Sequence, residues 1–173
     1  MSFTFTTENQ KKADAYIKRY PRGRQASAVL PLLDLAQRQS GGWLPQPALE
    51  SVAAMLEMPF IRVLEVASFY TMFNLKPVGT YHIQVCGTTP CWLKGAEDLK
   101  KACEQHLKIK TGETTKDQKF TLHEVECLGA CINAPAVQIN DDYYENLSPT
   151  SIVELLKNLP DKVRLSSEGT SDA

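Results

Sequence analysis

Apolar positions recur at helical spacing through the first part of the chain and alternate more tightly beyond it. Thr6 or Thr7 can cap a helix running through Lys12 to Tyr20, closed by Pro21-Arg22-Gly23. Ser27 opens a second helix, in which Val29, Leu32, Leu33 and Ala36 share one face. Pro31 must then fall within the first turn, where a missing N–H breaks no helical bond. Ser40-Gly41-Gly42 ends this helix, the glycines supplying left-handed residues. Pro47–Leu56 and Pro59–Tyr70 follow, each with proline at its start, and Val63, Val66, Ala67 and Tyr70 give the latter an apolar stripe. These segments predict a small helical bundle.

Lys76-Pro77-Val78-Gly79 interrupts that period. Tyr81–Val85 then reads as a strand, Gly95–Leu107 as a helix and Phe120–Val125 as a second strand. Ala136–Ile139 and Tyr143–Glu145 flank Asn140-Asp141-Asp142, a hairpin signal. Ser148-Pro149 caps a final helix carrying Ile152, Leu155, Leu156 and Leu159. The predicted class is α+β. A helical bundle over 1–77 precedes an α/β sandwich of thioredoxin-like outline over 78–160, with a flexible polar tail over 161–173.

The 173 residues suffice for a proper core, and 43% hydrophobic content is ordinary for a globular chain. Lys plus Arg total 19 against 20 for Asp plus Glu, with no basic stripe, which argues against a nucleic-acid partner. No apolar run is long enough to span a bilayer, so direct membrane insertion is not expected. The start, Met1-Ser-Phe-Thr-Phe, carries neither a signal peptide nor an Arg-rich transit pattern, which suits a cytosolic chain.

The cysteines change the picture most. Four of the five form two pairs, Cys86-Gly-Thr-Thr-Pro-Cys91 and Cys127-Leu-Gly-Ala-Cys131, each where an apolar run gives way to small residues. Two such loops at the ends of neighbouring strands can aim four thiolates into one pocket, a donor set for zinc or for iron with sulfide. Disulfides need an oxidising compartment, which nothing here suggests. A Cys₄ zinc site is possible, although zinc knuckles prefer C-x₂-C pairs. The wider x₄ and x₃ spacings suit a larger object such as a [2Fe–2S] rhomb, with Gly87, Thr88, Thr89, Gly129 and Ala130 small enough to bring backbone N–H groups to its sulfides. Cys103 shares a helical face with Ala96, Leu99, His106 and Leu107 and reads as a core thiol.

Val85-Cys-Gly-Thr-Thr-Pro-Cys-Trp92 and Glu126-Cys-Leu-Gly-Ala-Cys-Ile-Asn-Ala-Pro135 resemble the two cluster loops of the 24-kDa subunit family of NADH:quinone oxidoreductase, respiratory complex I. Glu65–Gly79 and Gly23–Gln37 are similar to further segments of that family, and the likeness runs from about residue 8 to 159. The resemblance implies a thioredoxin-like ferredoxin domain with one [2Fe–2S] cluster on Cys86, Cys91, Cys127 and Cys131. It implies a partner subunit that binds FMN and NADH, further iron–sulfur subunits, and temporary acceptance of one electron from the reduced flavin. It also implies a peripheral place on the cytoplasmic side of a bacterial inner membrane, or on the matrix side in a mitochondrion. Two other readings stand beside it: the small diaphorase subunit of a soluble NAD-linked hydrogenase or formate dehydrogenase, and a Cys₄ zinc interaction module.

The remaining residues suggest no catalytic site of the chain's own. No G-x-G-x-x-G loop is present, and His82, His106 and His123 lack a nucleophile partner. His82 and His123 read as strand residues that can also tune a nearby cluster. Lys94 is the nearest cation in sequence. Trp92, beside a cysteine, reads as a shield for the centre or as core. The Phe69–Phe73 run reads as core between the domains or as a docking edge for a partner.

Overall fold

A computed structural model describes residues 3–160, which fall into two compact units, one ending at Pro77 and the other starting at Val78. The flexible tail expected over 161–173 lies outside the described residues. No helix among the described residues is long and apolar enough to cross a membrane.

The first unit contains α1 (Thr7–Lys18), α2 (Val29–Gln39), α3 (Gln46–Met55) and α4 (Phe60–Phe69). Thr6 is the α1 cap, its hydroxyl accepting the Asn9 N–H at 3.3 Å. Ser27 does not start α2. It lies in a 3₁₀ turn, Gln25–Ala28, that leads into the helix and leaves Pro31 in the first α-turn. Leu32, Leu33, Ala36, Val52, Val63 and Ala67 are buried together, the stripe the spacing requires. Tyr70 departs from that stripe: α4 ends at Phe69, Tyr70 is extended, and its side chain is 42% exposed. Asn74 ties the following segment back, its N–H donating to Gln37 Oε1 at 2.7 Å and its Nδ2 to the Gly42 carbonyl at 2.9 Å. Of the Phe69–Phe73 run only Phe73 is buried, within this unit's own core; Phe69 is 75% exposed.

The second unit is a four-stranded sheet of β1 (Tyr81–Cys86), β2 (Phe120–Val125), β3 (Val137–Ile139) and β4 (Asp142–Tyr144), in the order β2-β1-β3-β4. The β1–β2 pair is parallel, and β1–β3 and β3–β4 are antiparallel. A one-turn helix, α5 (Thr89–Leu93), follows β1. Helices α6 (Ala96–Leu107) and α7 (Pro149–Asn158) pack against one face of the sheet. Alternation along the strands sends Tyr81, Ile83, Val85, Phe120, Leu122, Val137 and Ile139 to that face, where Leu99, Cys103, Ile152 and Leu156 meet them. His82, Gln84 and His123 in the alternate positions are half-buried. Ser148 caps α7 through a reciprocal pair of bonds with Ser151.

Gly79 sets the entry to β1. A Cβ there would lie 2.8–2.9 Å from backbone atoms of Lys119 and Phe120, so only glycine fits without moving the neighbouring strand. Its N–H donates to the buried Thr121 hydroxyl at 2.7 Å. The hairpin turn is shorter than expected. Asp142 already belongs to β4, and Asn140 takes φ +55. Its side chain accepts the His82 N–H and donates to the Thr80 carbonyl, an arrangement that anchors β3 to β1.

Candidate metal centre

In the parallel register of β1 and β2, Cys86 stands opposite Val125. Both cysteine-bearing segments therefore leave the sheet at the same end. Cys86 is the last residue of β1. Cys91 lies in α5 and not in the loop that small residues suggest. Pro90 presets φ for that turn, and the Thr88 carbonyl accepts the Trp92 N–H at 2.9 Å. On the second segment Gly129 takes φ +82, a left-handed bend that returns the chain from Cys127 to the 3₁₀ turn Cys131–Asn133. Tyr143 from β4 pins this segment by donating to the Leu128 carbonyl at 3.1 Å. The Ala134–Pro135 bond that follows is cis, and the Ala136 carbonyl accepts the Cys86 N–H at 3.1 Å.

The four thiols form two pairs drawn from the two segments. Cys127 and Cys131 place their Sγ atoms 3.5 Å apart. Two sulfurs on one tetrahedral metal, at bonds of about 2.3 Å, sit about 3.8 Å apart, so the Cys127–Cys131 spacing suits a shared metal. Cys86 and Cys91 are buried, whereas Cys127 and Cys131 are exposed. The donor set is four soft thiols, two from each segment, a chemistry that fits a two-metal cluster.

Electrostatics divide each pair. At Cys86 burial raises the pKa, but the Thr88 hydroxyl at 3.3 Å and amides of Thr88 and Leu128 outweigh it, so the thiol lies below its ordinary value. Burial and then the neighbouring charge of Cys86 push Cys91 up. The Gly129 N–H, 3.4 Å from Cys127 Sγ, holds Cys127 down together with Cys131 and the Thr88 hydroxyl. Cys127 in turn pushes Cys131 up. One thiol of each pair is held below its ordinary pKa and opposes ionisation of its neighbour, a repulsion that a bound cationic metal would relieve. The Thr88 hydroxyl thus reaches cysteines of both segments, a role that its small size alone does not announce in the sequence.

Other expected residues are placed differently from their sequence neighbourhood. The Gly87 N–H is committed to the Val125 carbonyl at 3.0 Å and continues the β1–β2 ladder. Trp92 is 58% exposed, so it is neither core nor a full shield. Cys103 is fully buried in the sheet–helix core, and burial pushes its thiol up to about 12. Lys100, one turn into α6 and unmarked by any sequence motif, is the cation tucked beside this end of the sheet. Its ammonium lies 2.6 Å from both Glu97 and Glu124. No local pattern identifies it, because Glu124 comes from β2.

His82 and His123 meet across the β1–β2 pair, with His82 Nε2 2.8 Å from His123 Nδ1. Burial and then His123 lower the His82 pKa to about 4, and burial lowers that of His123. The unfolded chain takes up these protons near pH 6.5 while the folded chain refuses them, so it binds more protons and stability falls as pH drops from 6.5 towards 4. Urea midpoints measured stepwise over that window are expected to decline, and the decline is expected to be shallower in His82→Gln. Equal slopes for the two proteins would contradict this.

Comparison with known proteins fits this geometry. The family model for thioredoxin-like [2Fe–2S] ferredoxin matches residues 13–160. The chain is 63% identical over 158 residues to the E subunit of NADH-quinone oxidoreductase from Rickettsia conorii, covering 91% of this chain and 95% of that one. It is 50% identical over 165 residues to the mitochondrial NADH dehydrogenase [ubiquinone] flavoprotein 2 of Dictyostelium discoideum, covering 93% of this chain and 67% of that one. Among solved structures, an NAD+-reducing [NiFe]-hydrogenase in the air-oxidised state shares the fold with a TM-score of 0.63 at 23% identity, over 73% of this chain and 22% of that chain.

Proposed function

The chain belongs to the thioredoxin-like [2Fe–2S] ferredoxin family, alongside the E subunit of NADH-quinone oxidoreductase, and from that membership we propose a specific role. It is the electron-transfer subunit of the NADH-oxidising module of a proton-pumping NADH:quinone oxidoreductase, and it exchanges single electrons with the FMN of a flavoprotein partner. Cys86, Cys91, Cys127 and Cys131 hold the cluster, one pair to each iron. The observation that carries this reading is the arrangement of those thiols, two by two, at the shared end of adjacent parallel strands.

A bound [2Fe–2S] cluster supplies a one-electron couple ligated by thiolates. The chain's own residues do the rest. The β1–β2 register fixes the two cysteine segments side by side, and the Gly129 amide and Thr88 hydroxyl direct donors at cysteine sulfurs. Burial keeps Cys86 and Cys91 from water, while the exposed Cys127–Cys131 side leaves a short path to a docked partner. Further iron–sulfur subunits would carry electrons onward, and the chain would sit peripherally on the cytoplasmic or matrix side through the complex. The strong match to the Rickettsia conorii protein over nine-tenths of the chain supports this role over that of a diaphorase subunit.

The test uses the cluster-loaded chain with and without the flavoprotein. Dithionite is expected to bleach its visible absorption, whereas NADH alone leaves it unchanged and no ferricyanide is reduced. Adding the flavoprotein should let NADH bleach the cluster. NADH oxidation by the purified chain alone, free of flavin, would overturn the assignment.

A further inference from the structure

A charged triad closes the cleft directly behind Cys86. Lys100 projects from α6 and bonds both Glu97, one turn earlier on the same helix, and Glu124, near the end of β2, at 2.6 Å each. The lysine side chain is only 19% exposed. Val85, Cys86, Gly87, Trp92, Lys100 and Glu124 line this cleft. Gly87 is the close approach: a Cβ there would overlap the Glu124 carboxylate. The absence of a side chain at Gly87 therefore lets a carboxylate rest against the backbone that follows the first cysteine. The ammonium is raised above its ordinary pKa by Glu124 and Glu97, so it stays charged throughout the physiological range. The triad, two carboxylates and one ammonium, is net negative.

We propose that Glu97, Lys100 and Glu124 are positioning residues that tune the reduction potential of the centre, with Lys100 offsetting two carboxylates that line the cleft behind Cys86. This rests on the assignment of Cys86 as a ligand. Reduction adds one electron to a centre already negative from its four thiolates, and no bond is made or broken. A nearby negative charge therefore opposes the electron and a nearby positive charge favours it. Lys100 is the sheltered member; the Glu97 and Glu124 side chains are 43% and 41% exposed, so solvent screens their charges in part. Lys94, the nearest cation in sequence, belongs to the exposed turn after α5 and does not line this cleft.

The variants have opposite expected signs. Glu124→Gln removes the carboxylate nearest Gly87 and should raise the reduced-to-oxidised ratio at the wild-type midpoint by about threefold to tenfold. Glu97→Gln should act in the same direction, less strongly, because its carboxylate does not touch Gly87. Lys100→Met leaves two carboxylates without their cation and should lower the ratio by a similar factor. Lys100→Arg keeps the charge and should restore the wild-type value. A tenfold change corresponds to about 59 mV for a one-electron couple.

The measurement is a dithionite titration with redox mediators at one fixed pH for all variants, followed by the electron-spin signal of the reduced cluster. The signal reads only loaded protein, so the midpoint remains measurable when a variant loads incompletely. Opposite shifts for Glu124→Gln and Lys100→Met, with Lys100→Arg unshifted, support the proposal. A triad that merely ties α6 to β2 would weaken the fold in all three charge-changing variants without moving their midpoints in opposite directions. An intact cluster with unchanged midpoints, or with both variants shifted the same way, overturns it. A wild-type chain that binds no cluster would overturn the ligand assignment itself, a result distinguishable by iron and sulfide analysis.

Discussion

Alanine at any one of Cys86, Cys91, Cys127 or Cys131 is expected to abolish or strip most of the [2Fe–2S] cluster, while alanine at Cys103 leaves iron and sulfide content intact. In the proposed assignment each of the four would supply half of the thiolate ligation to one iron, and a missing thiolate would leave an iron open to water. The two pairs are not equivalent. Cys86 and Cys91 are buried, so their loss also leaves a gap in the packed base of the site, whereas Cys127 and Cys131 lie on the exposed side. Cys103 sits among Ile83, Leu99 and Ile152, and burial pushes its thiol up to about 12 and leaves it unreactive. Its replacement costs about 1 kcal/mol of core packing, a typical value for one small buried group. Iron, acid-labile sulfide and visible absorption of the five single variants decide the matter. A Cys103→Ala protein without iron, or a Cys127→Ala protein with full iron, would overturn the ligand assignment.

Ile83→Ala is expected to destabilise the sheet unit by about 2–5 kcal/mol, against a total domain stability on the order of 5–15 kcal/mol. Ile83 is fully buried on the central strand, opposite Leu122 on one side and Ile139 on the other. Removing its side chain opens a cavity between three strands and the helices that cover them, where regular pairing limits collapse. β1 also carries Cys86 at its end, so fraying of this strand should speed cluster loss. Urea unfolding of Ile83→Ala, followed by circular dichroism and by cluster absorbance, is the measurement. A midpoint equal to that of the wild type would contradict the packing described here. Gln84→Ala, on the half-buried alternate face of the same strand, is the control and should change stability much less.

The parts legible in the sequence are those whose physics is local. Helix caps such as Thr6 and Ser148 act within three residues, and glycine pairs such as Gly41-Gly42 stop a helix on their own. Hydrophobic alternation marks β1 and β2 because a strand face repeats every second residue. Soft cysteine donors in x₄ and x₃ pairs likewise state a preference for metal without reference to the rest of the chain. Short elements escape notice for the same reason. The one-turn α5 and the 3₁₀ turn before α2 are too brief to leave a period, and Tyr70 continues the apolar spacing of α4 although the helix ends one residue before it.

By itself, then, the amino-acid order determined the α+β class, the succession of elements and the soft four-thiol donor set. Only the tertiary structure decided which groups surround those thiols. The parallel register of β1 and β2 brings residues distant in sequence to one end of a sheet, lets the His82 and His123 side chains meet diagonally across the strands, and puts Glu124 against Gly87. Packing of α6 on that sheet then places the half-buried Lys100 in the cleft behind Cys86, although Lys94 is closer in sequence to both Cys86 and Cys91. Periodicity is a property of consecutive residues. Charge placement, burial and hydrogen-bond partners depend on distance in space, which chain separation does not encode until the strands have paired.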